Sequence, residues 1–308
     1  MFETLFSRSG LSLDRLRALC LVADAGGIAR AVGNDPVRQS LVSRQLKELE
    51  EFFERELTRR EGKSLALTPA GEELARLARE HLAALDDFAA SGREVDARFS
   101  LGAGDSILHW KVLPRLAAAR RAFPRLVLEL HALGPGAIVE ELGDLGLDFG
   151  IVRGAREHRP LASELLGRVE YALFVPRPLL VGRTKPDARR LLSELPLAVP
   201  HGDETFTRWL DALALGQEVV PSVALRCETF PQACRALLGG GYAAILPTFV
   251  RSELRGRSVA EVSAPLFSGL ASDVHLVWNP RVLRVRAAAE RARDALSRAI
   301  AWRPNDRS

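Results

Sequence analysis

Cysteine is scarce in this chain, and long apolar runs are missing. The 308 residues include three cysteines, Cys20, Cys227 and Cys234. None forms a Cys-x-x-Cys pair, and the odd count argues against a disulfide framework. No uninterrupted apolar stretch approaches the ~20 residues a bilayer-spanning helix needs. The opening residues, MFETLFSRSG, lack an apolar core followed by a small-residue cleavage site, so no secretory leader is expected. The expected home is a reducing cytoplasm, with no membrane as partner.

Catalytic signatures are absent too. There is no Gly-x-Ser-x-Gly elbow, no His-Glu-x-x-His and no phosphate-binding Gly-x-x-x-x-Gly-Lys-Ser/Thr. His81, His109, His131, His158, His201 and His275 show no metal-ligand spacing. Gly102 and Gly104 invite a dinucleotide fingerprint, but Ile107 occupies its third glycine position and no clean acidic position follows the second strand. The expectation is no enzyme, no metal, no cofactor and no catalytic residue. Internal repeats and low-complexity tracts are also missing.

What remains is an ordinary globular composition, 47% hydrophobic and 27% charged, with a net charge of +4. The mild positive excess permits a nucleic-acid partner without demanding one. The length allows two or three domains with real cores. Three textures divide it. Residues 1–67 hold short helical pieces punctuated by Gly and Pro. Residues 68–97 hold one long helical pattern. Residues 98–308 alternate short apolar runs with helical stretches, the signature of an α/β domain.

In the first zone, Leu13, Leu16, Leu19 and Val22 recur at helical spacing before a Gly26-Gly27 stop. A short helix, Ile28 to Val32, meets Gly33-Asn34, both tolerant of positive φ. Asp35 suits a helix cap and Pro36 a first turn. Helix, tight turn and helix make a helix-turn-helix. If the next helix runs from Pro36, Val42, Leu46, Leu49 and Phe53 form its buried stripe. Ser40, Ser43, Arg44 and Lys47 lie opposite, two hydroxyls and two cations able to reach base edges and phosphates. Gln39 flanks that face, and Arg38 lies nearer the apolar side. Any solvated helix face also looks like this, and the glutamates from Glu48 onward confine phosphate contact to the N-terminal half. Next, LTRREGKSLALTPAG places Arg59, Arg60 and Lys63 around a Gly turn, a two-stranded wing with a basic tip.

These residues resemble a known family. SRQLKELE (Ser43–Glu50) and LTPAGEEL (Leu67–Leu74), with the basic pair before the wing, look like the winged helix-turn-helix and linker helix of LysR-type transcriptional regulators. The resemblance runs from Leu13 to about Phe88. One departure stands out. The family usually has Leu where Asp35 stands and starts its recognition helix near Arg38–Ser40, so Asp35-Pro36 indicates an earlier start or a rebuilt turn. The resemblance implies double-stranded operator or promoter DNA as partner. It also implies RNA polymerase as the machinery addressed and pairing of subunits through the linker helix, as homodimer or homotetramer. The stripe Leu74, Leu77, Leu82, Leu85 and Phe88 fits that pairing on its own account, because so apolar a face needs cover.

From Phe99 onward, strands are expected at FSLGAG, LVLELHA, LDFGIV, YALFVP, LPLAVP, SVALRC, YAAILP and VHLVW, and helices at Ser106–Phe123, Thr229–Leu238 and Leu283–Ala301. Ligands of open α/β sheets collect at strand C-terminal ends. That rule selects Asp105, Ser106, Arg153, His201, Glu228, Thr229 and Thr248, with Asp105 as a helix cap. Trp110 and Phe230 fall beside these loops, as lining or as core. A carboxylate or other anion is one class such helix starts suit, although Asp105 would repel it. Cys227 and Cys234 could form a redox pair, with buried structural thiols the favoured alternative. The resemblance, here architectural, implies a periplasmic-binding-protein-like domain: subdomain I about 98–175 and 276–308, subdomain II about 176–275, with a small-molecule effector between them. The expected function is effector-responsive, sequence-specific transcriptional regulation. The rivals are a constitutive DNA-binding protein without effector and an enzyme fused to a DNA-binding head.

Overall fold

The computed structural model describes residues 3–33, 35–61, 64–90, 96–154, 160–182, 187–216, 219–286 and 288–302. They fall into two compact units. One gathers Met1–Ala97, Glu141–Asp148 and Asn279–Glu290, the other Arg98–Glu140, Phe149–Trp278 and Arg291–Ser308.

In the first unit, α1 (Leu13–Ala25) starts at Ser12, whose hydroxyl accepts from the Arg15 N–H, and stops at Gly26 with φ 65°. Helices α2 (Ile28–Val32) and α3 (Pro36–Phe53) follow. The α3 start is at Pro36: Asp35 accepts from the backbone of both Val37 and Arg38. The earlier of the two expected starts is therefore the observed one, and such a cap contributes about 1 kcal/mol. Val42, Leu46 and Leu49 are buried as expected. Phe53 packs part-buried against the same core, as expected, while Phe52 is buried beside Gly10 rather than in that cluster. At 3.6 residues per turn, position 53 falls within about 40° of positions 46 and 49, whereas 52 is turned further round the helix.

Strands β1 (Thr58–Glu61) and β2 (Ser64–Leu67) pair antiparallel as the wing. Lys63, expected at its tip, lies outside the described residues. Thr68 then caps α4 (Pro69–Ala90), accepting from the Gly71 N–H at 3.1 Å while donating to the Glu56 carbonyl. Gly71 packs so closely on the Leu57 carbonyl that a Cβ there would collide with backbone. This explains the glycine of LTPAG: it lets α4 leave against the head. Ala75 and Ala78 are buried on the near side of α4, whereas Leu77, Leu85 and Phe88 remain exposed, Phe88 by 76%.

Helix α4 is also stitched to the later segments of its unit. Arg79 donates through Nε and Nη2 to Asp24 on α1, and through Nη1 to the Asp144 carbonyl. Arg281 lies 3.8 Å from Glu80, and Arg286 pairs with Asp148 at 2.6 Å. The helix expected over Leu283–Ala301 is instead two, Pro280–Val285 and Ala289–Ile300. Asn279 caps the first, and Arg286 turns extended where its guanidinium meets Asp148.

The second unit holds a five-stranded sheet. Its strands are β3 (Ala97–Ala103), β4 (Leu126–Ala132), β5 (Phe149–Arg153), β6 (Ala162–Val169) and β12 (Ser272–Trp278). They lie in the order β4-β3-β5-β12-β6. β3 and β5 are parallel, and β12 runs antiparallel to β5 and β6. After Val169 the chain enters a three-stranded antiparallel sheet of β7 (Tyr171–Pro176), β10 (Ala244–Pro247) and β11 (Val259–Val262). Parallel β8 (Leu197–Pro200) and β9 (Val223–Cys227) join it through the bridge Leu197–Ala243. The eight expected strands are present. β6 and β11 were not expected: ASELLGRV has no clean alternation, and VAEV is very short.

The helix expected over Ser106–Phe123 runs as α, π, 3-10 and α turns from Asp105 to Ala122. Pro114 supplies no N–H and restricts the residue before it, so the ladder widens and tightens around it. Asp105 is the first helical residue rather than the cap; Gly104 holds that place.

Gly71→Ala is expected to destabilise the protein by roughly 1–3 kcal/mol through forced backbone displacement. Urea unfolding followed by circular dichroism would show it, and an unchanged midpoint would refute the close-packing explanation.

Candidate functional site

Burial of one side of α3 turns the opposite side outward. Ser40, Ser43, Arg44 and Lys47 are all exposed there. The cations are not idle. Arg44 Nε donates to Glu48 at 3.1 Å, Lys47 lies 3.9 Å from Glu51, and Arg38 lies 3.5 Å from Asp35. Glu48 is held from the other side by Arg15 of α1. The Arg15 hydrogen bond outweighs desolvation, and Arg44 adds to it, so the Glu48 carboxyl sits below its usual range. A phosphate approaching Arg44 would take over from Glu48, which keeps Arg15. Exposed pairs of this kind contribute little because solvent screens them, so the exchange is easily made. Gln39 is half-buried and its amide donates to the Gly33 carbonyl, so it locks the turn before α3. Arg59 and Arg60 are exposed on β1.

A second site lies wholly within the α/β unit. A cavity of about 640 Å³, within the usual ~300–1,000 Å³ range of small-molecule pockets, is bordered by the ends of β3, β5 and β8. Asp105, Ser106, Arg153, Glu228, Thr229 and Phe230 all line it. The remaining two expected residues, His201 and Thr248, do not. His201 stands beside the lining with Nε2 3.5 Å from Glu228, and the Thr248 N–H donates to the Glu170 carbonyl. Phe230 contributes to the wall from a buried position, stacked edge-on with Phe206. Trp110 is core: its indole N–H donates to Glu253 and its ring packs on Phe249.

The floor of the cavity is a polar triad that sequence reading missed apart from Arg153. Arg153 Nη1 donates to the Tyr171 hydroxyl at 2.8 Å, and Nη2 to Asp203 Oδ2 at 2.5 Å. Burial works against the guanidinium charge, but Tyr171 and Asp203 more than offset it and hold Arg153 above its ordinary value. Burial pushes the Tyr171 phenol up to about 12, so it stays neutral. Asp203 Oδ1 caps the helix Glu204–Leu215 by accepting from Phe206. The signal for this helix was present: an Asp ahead of the amphipathic run ETFTRWLDALAL.

With this geometry in place, comparison with known proteins settles the lineage. A family model described as "Bacterial regulatory helix-turn-helix protein, lysR family" matches residues 13–72, and "LysR substrate binding domain" matches residues 92–300. The chain belongs to the LysR family. Among curated relatives, the glycine cleavage system transcriptional activator of Escherichia coli (strain K12) is 31% identical over 180 residues, 56% of each chain. DgdR of Burkholderia cepacia is 27% identical over 146 residues, 46% of this chain and 49% of that one. The chain thus spans about half the length of the first curated relatives it matches. A full-length OxyR variant from Pseudomonas aeruginosa shares the fold at a TM-score of 0.66 and 19% identity, covering 96% of this chain and 97% of that one.

In this LysR chain the α/β thiols sit beside the cavity rather than in it. All three cysteines are free. Burial raises every one: Cys20 to about 11, Cys234 to about 12, and Cys227 by a smaller shift. Raised thiols are poor nucleophiles, since the thiolate is the reactive form. Cys234 and Cys20 are buried while Cys227 is half-buried. Native iodoacetamide labelling at neutral pH is therefore expected to modify Cys227 first and slowly, leaving Cys20 and Cys234 untouched until denaturant is added. Rapid native labelling of Cys234, read by mass spectrometry, would contradict this and revive the redox pair.

Proposed function

We propose that this LysR-family chain is a sequence-specific DNA-binding transcriptional regulator controlled by a small molecule in the α/β cavity. The observation that carries the reading is the α3 face: within a winged head matched by the LysR helix-turn-helix model, it exposes Ser40, Ser43, Arg44 and Lys47 opposite a buried stripe. Ser40, Ser43 and Arg44 read base edges in the major groove, and Lys47 meets phosphate or base at its margin. Arg59, Arg60 and Lys63 hold flanking phosphates. Arg38 adds charge at the helix start, and Gln39 fixes the turn that aims it.

Two copies join through the exposed side of α4, so that paired heads bind two half-sites on operator or promoter DNA. Leu85 and Phe88 are the anchors, because they are large, apolar and exposed. A homotetramer would add further contacts to the same dimer. Effector in the cavity favours one arrangement of the α/β domain through differential affinity, and RNA polymerase reads the outcome at the promoter. The site of action is the compartment that holds the DNA; no helix among the described residues is long and apolar enough to cross a membrane. The relatives are regulators, which favours this function over an enzyme.

Arg44→Ala is expected to weaken operator binding roughly 5- to 150-fold and relax preference at one base position. Lys47→Ala should lower affinity more evenly across sequences. Gel shifts on an operator selected from random duplexes test both, and unchanged affinity and preference in both variants would remove α3 from the groove. Leu85→Glu with Phe88→Glu should shift the protein to smaller assemblies in light scattering; an unchanged mass would place the subunit contact elsewhere.

A further inference from the structure

We infer that the effector of this cavity carries a positively charged nitrogen, an ammonium or guanidinium group, and is not a simple anion. The inference rests on the reading of the cavity as the effector site and specifies the ligand it takes. Among the described lining residues, Asp105, Asp203, Glu204 and Glu228 face Arg153 and Arg208. Four carboxylates against two guanidiniums leave an excess of two negative charges.

The excess of two remains when the buried cation is set aside, because that cation is already engaged. Arg153 directs Nη2 to Asp203 and Nη1 to Tyr171. Asp203 in turn uses its second oxygen to cap a helix. That pair is closed and electrically neutral, so it offers an anionic ligand little net attraction. What remains is Asp105, Glu204 and Glu228 against Arg208, which is exposed and directs its Nε to the Glu204 carbonyl. His201 beside Glu228 adds positive charge only when protonated.

A carboxylate entering here meets like charge. The repulsion grows as the protein lowers the effective dielectric below that of bulk water, and a cation is attracted by the same physics. The rest of the wall suits an amine attached to a compact hydrocarbon. Ile138 and Phe230 are buried apolar surface, and the half-buried Ser106 hydroxyl offers one neutral polar anchor. The favoured class is therefore a small amine or diamine, or an amino acid whose basic side chain leaves it net positive despite its own carboxylate.

The test uses the full chain in thermal-shift and titration calorimetry with two panels: amines (L-arginine, L-lysine, agmatine, putrescine) and size-matched carboxylates (succinate, glutarate, 2-oxoglutarate). An amine is expected to bind at least about tenfold more tightly than its matched carboxylate. Asp105→Asn and Glu228→Gln are each expected to weaken that amine at least about tenfold, with circular dichroism unchanged. Silence from the whole amine panel overturns the inference. So does a carboxylate bound in preference; if Ser106→Trp abolishes that binding, the cavity stands as the effector site and only the charge class fails. Binding of either class that survives Ser106→Trp places the ligand elsewhere and overturns the cavity reading itself.

Discussion

The burial of Val42, Leu46 and Leu49 in the head is the constraint on which the outward surface of α3 depends. A helix has one set of side chains per face, so fixing three of them on the core fixes every other residue of α3 in direction. Ser40, Ser43, Arg44 and Lys47 point outward because those leucines and the valine point inward. Each buried side chain contributes roughly 1.5–3 kcal/mol, far more than any exposed ion pair on the opposite face. The apolar side sets the rotation of α3, and its surface pairs with Glu48 and Glu51 adjust to it.

The same core determines how α4 departs. Leu57 and Leu67 close the wing onto the head, and Gly71 accepts the Leu57 carbonyl at a distance no side chain would permit. From there Ala75 and Ala78 face the head with Leu74 packed beside them, not on the exposed stripe, whereas Leu77, Leu85 and Phe88 are exposed. Arg79 holds α4 to Asp24 on α1 and to the carbonyl of Asp144 in one bridge. A single guanidinium thus ties the first helix of the head to a segment contributed from much later in the chain. The Arg79 side chain is largely covered while Asp24 stays about half exposed, and the junction's geometry is specified by several donors at once.

The cavity follows a different logic. Its walls come from strand ends and helix starts, where backbone turns expose polar groups, and its floor is a neutralised ion pair rather than an apolar layer. Burying Arg153 is costly by itself. Tyr171 and Asp203 make it tolerable, and the result is a cavity floor whose charged groups already have partners.

Much of this was legible from the residues. Asp35-Pro36 read as a helix start because a capping carboxylate and a ring with no N–H suit one place in a helix. The strands at LVLELHA and YALFVP read from continuous apolar, β-branched composition. The α3 face read from periodicity. Other features had no local signal. β6 is an edge strand with mixed polarity, stabilised by its pairing with β12 rather than by its own composition. The break at Arg286 answers to Asp148, about 140 positions away in the chain. Arg153 was selectable as a strand-end cation, but its partners Tyr171 and Asp203 lie far along the sequence, and only folding brings them within hydrogen-bond reach. The sequence by itself determined the periodicities, caps and breakers, and so the α/β class, the winged head and the outward face of α3, because these depend on neighbours within a turn or two. Tertiary structure alone decided which charges survive uncompensated, because neutralisation depends on groups that only the fold brings together.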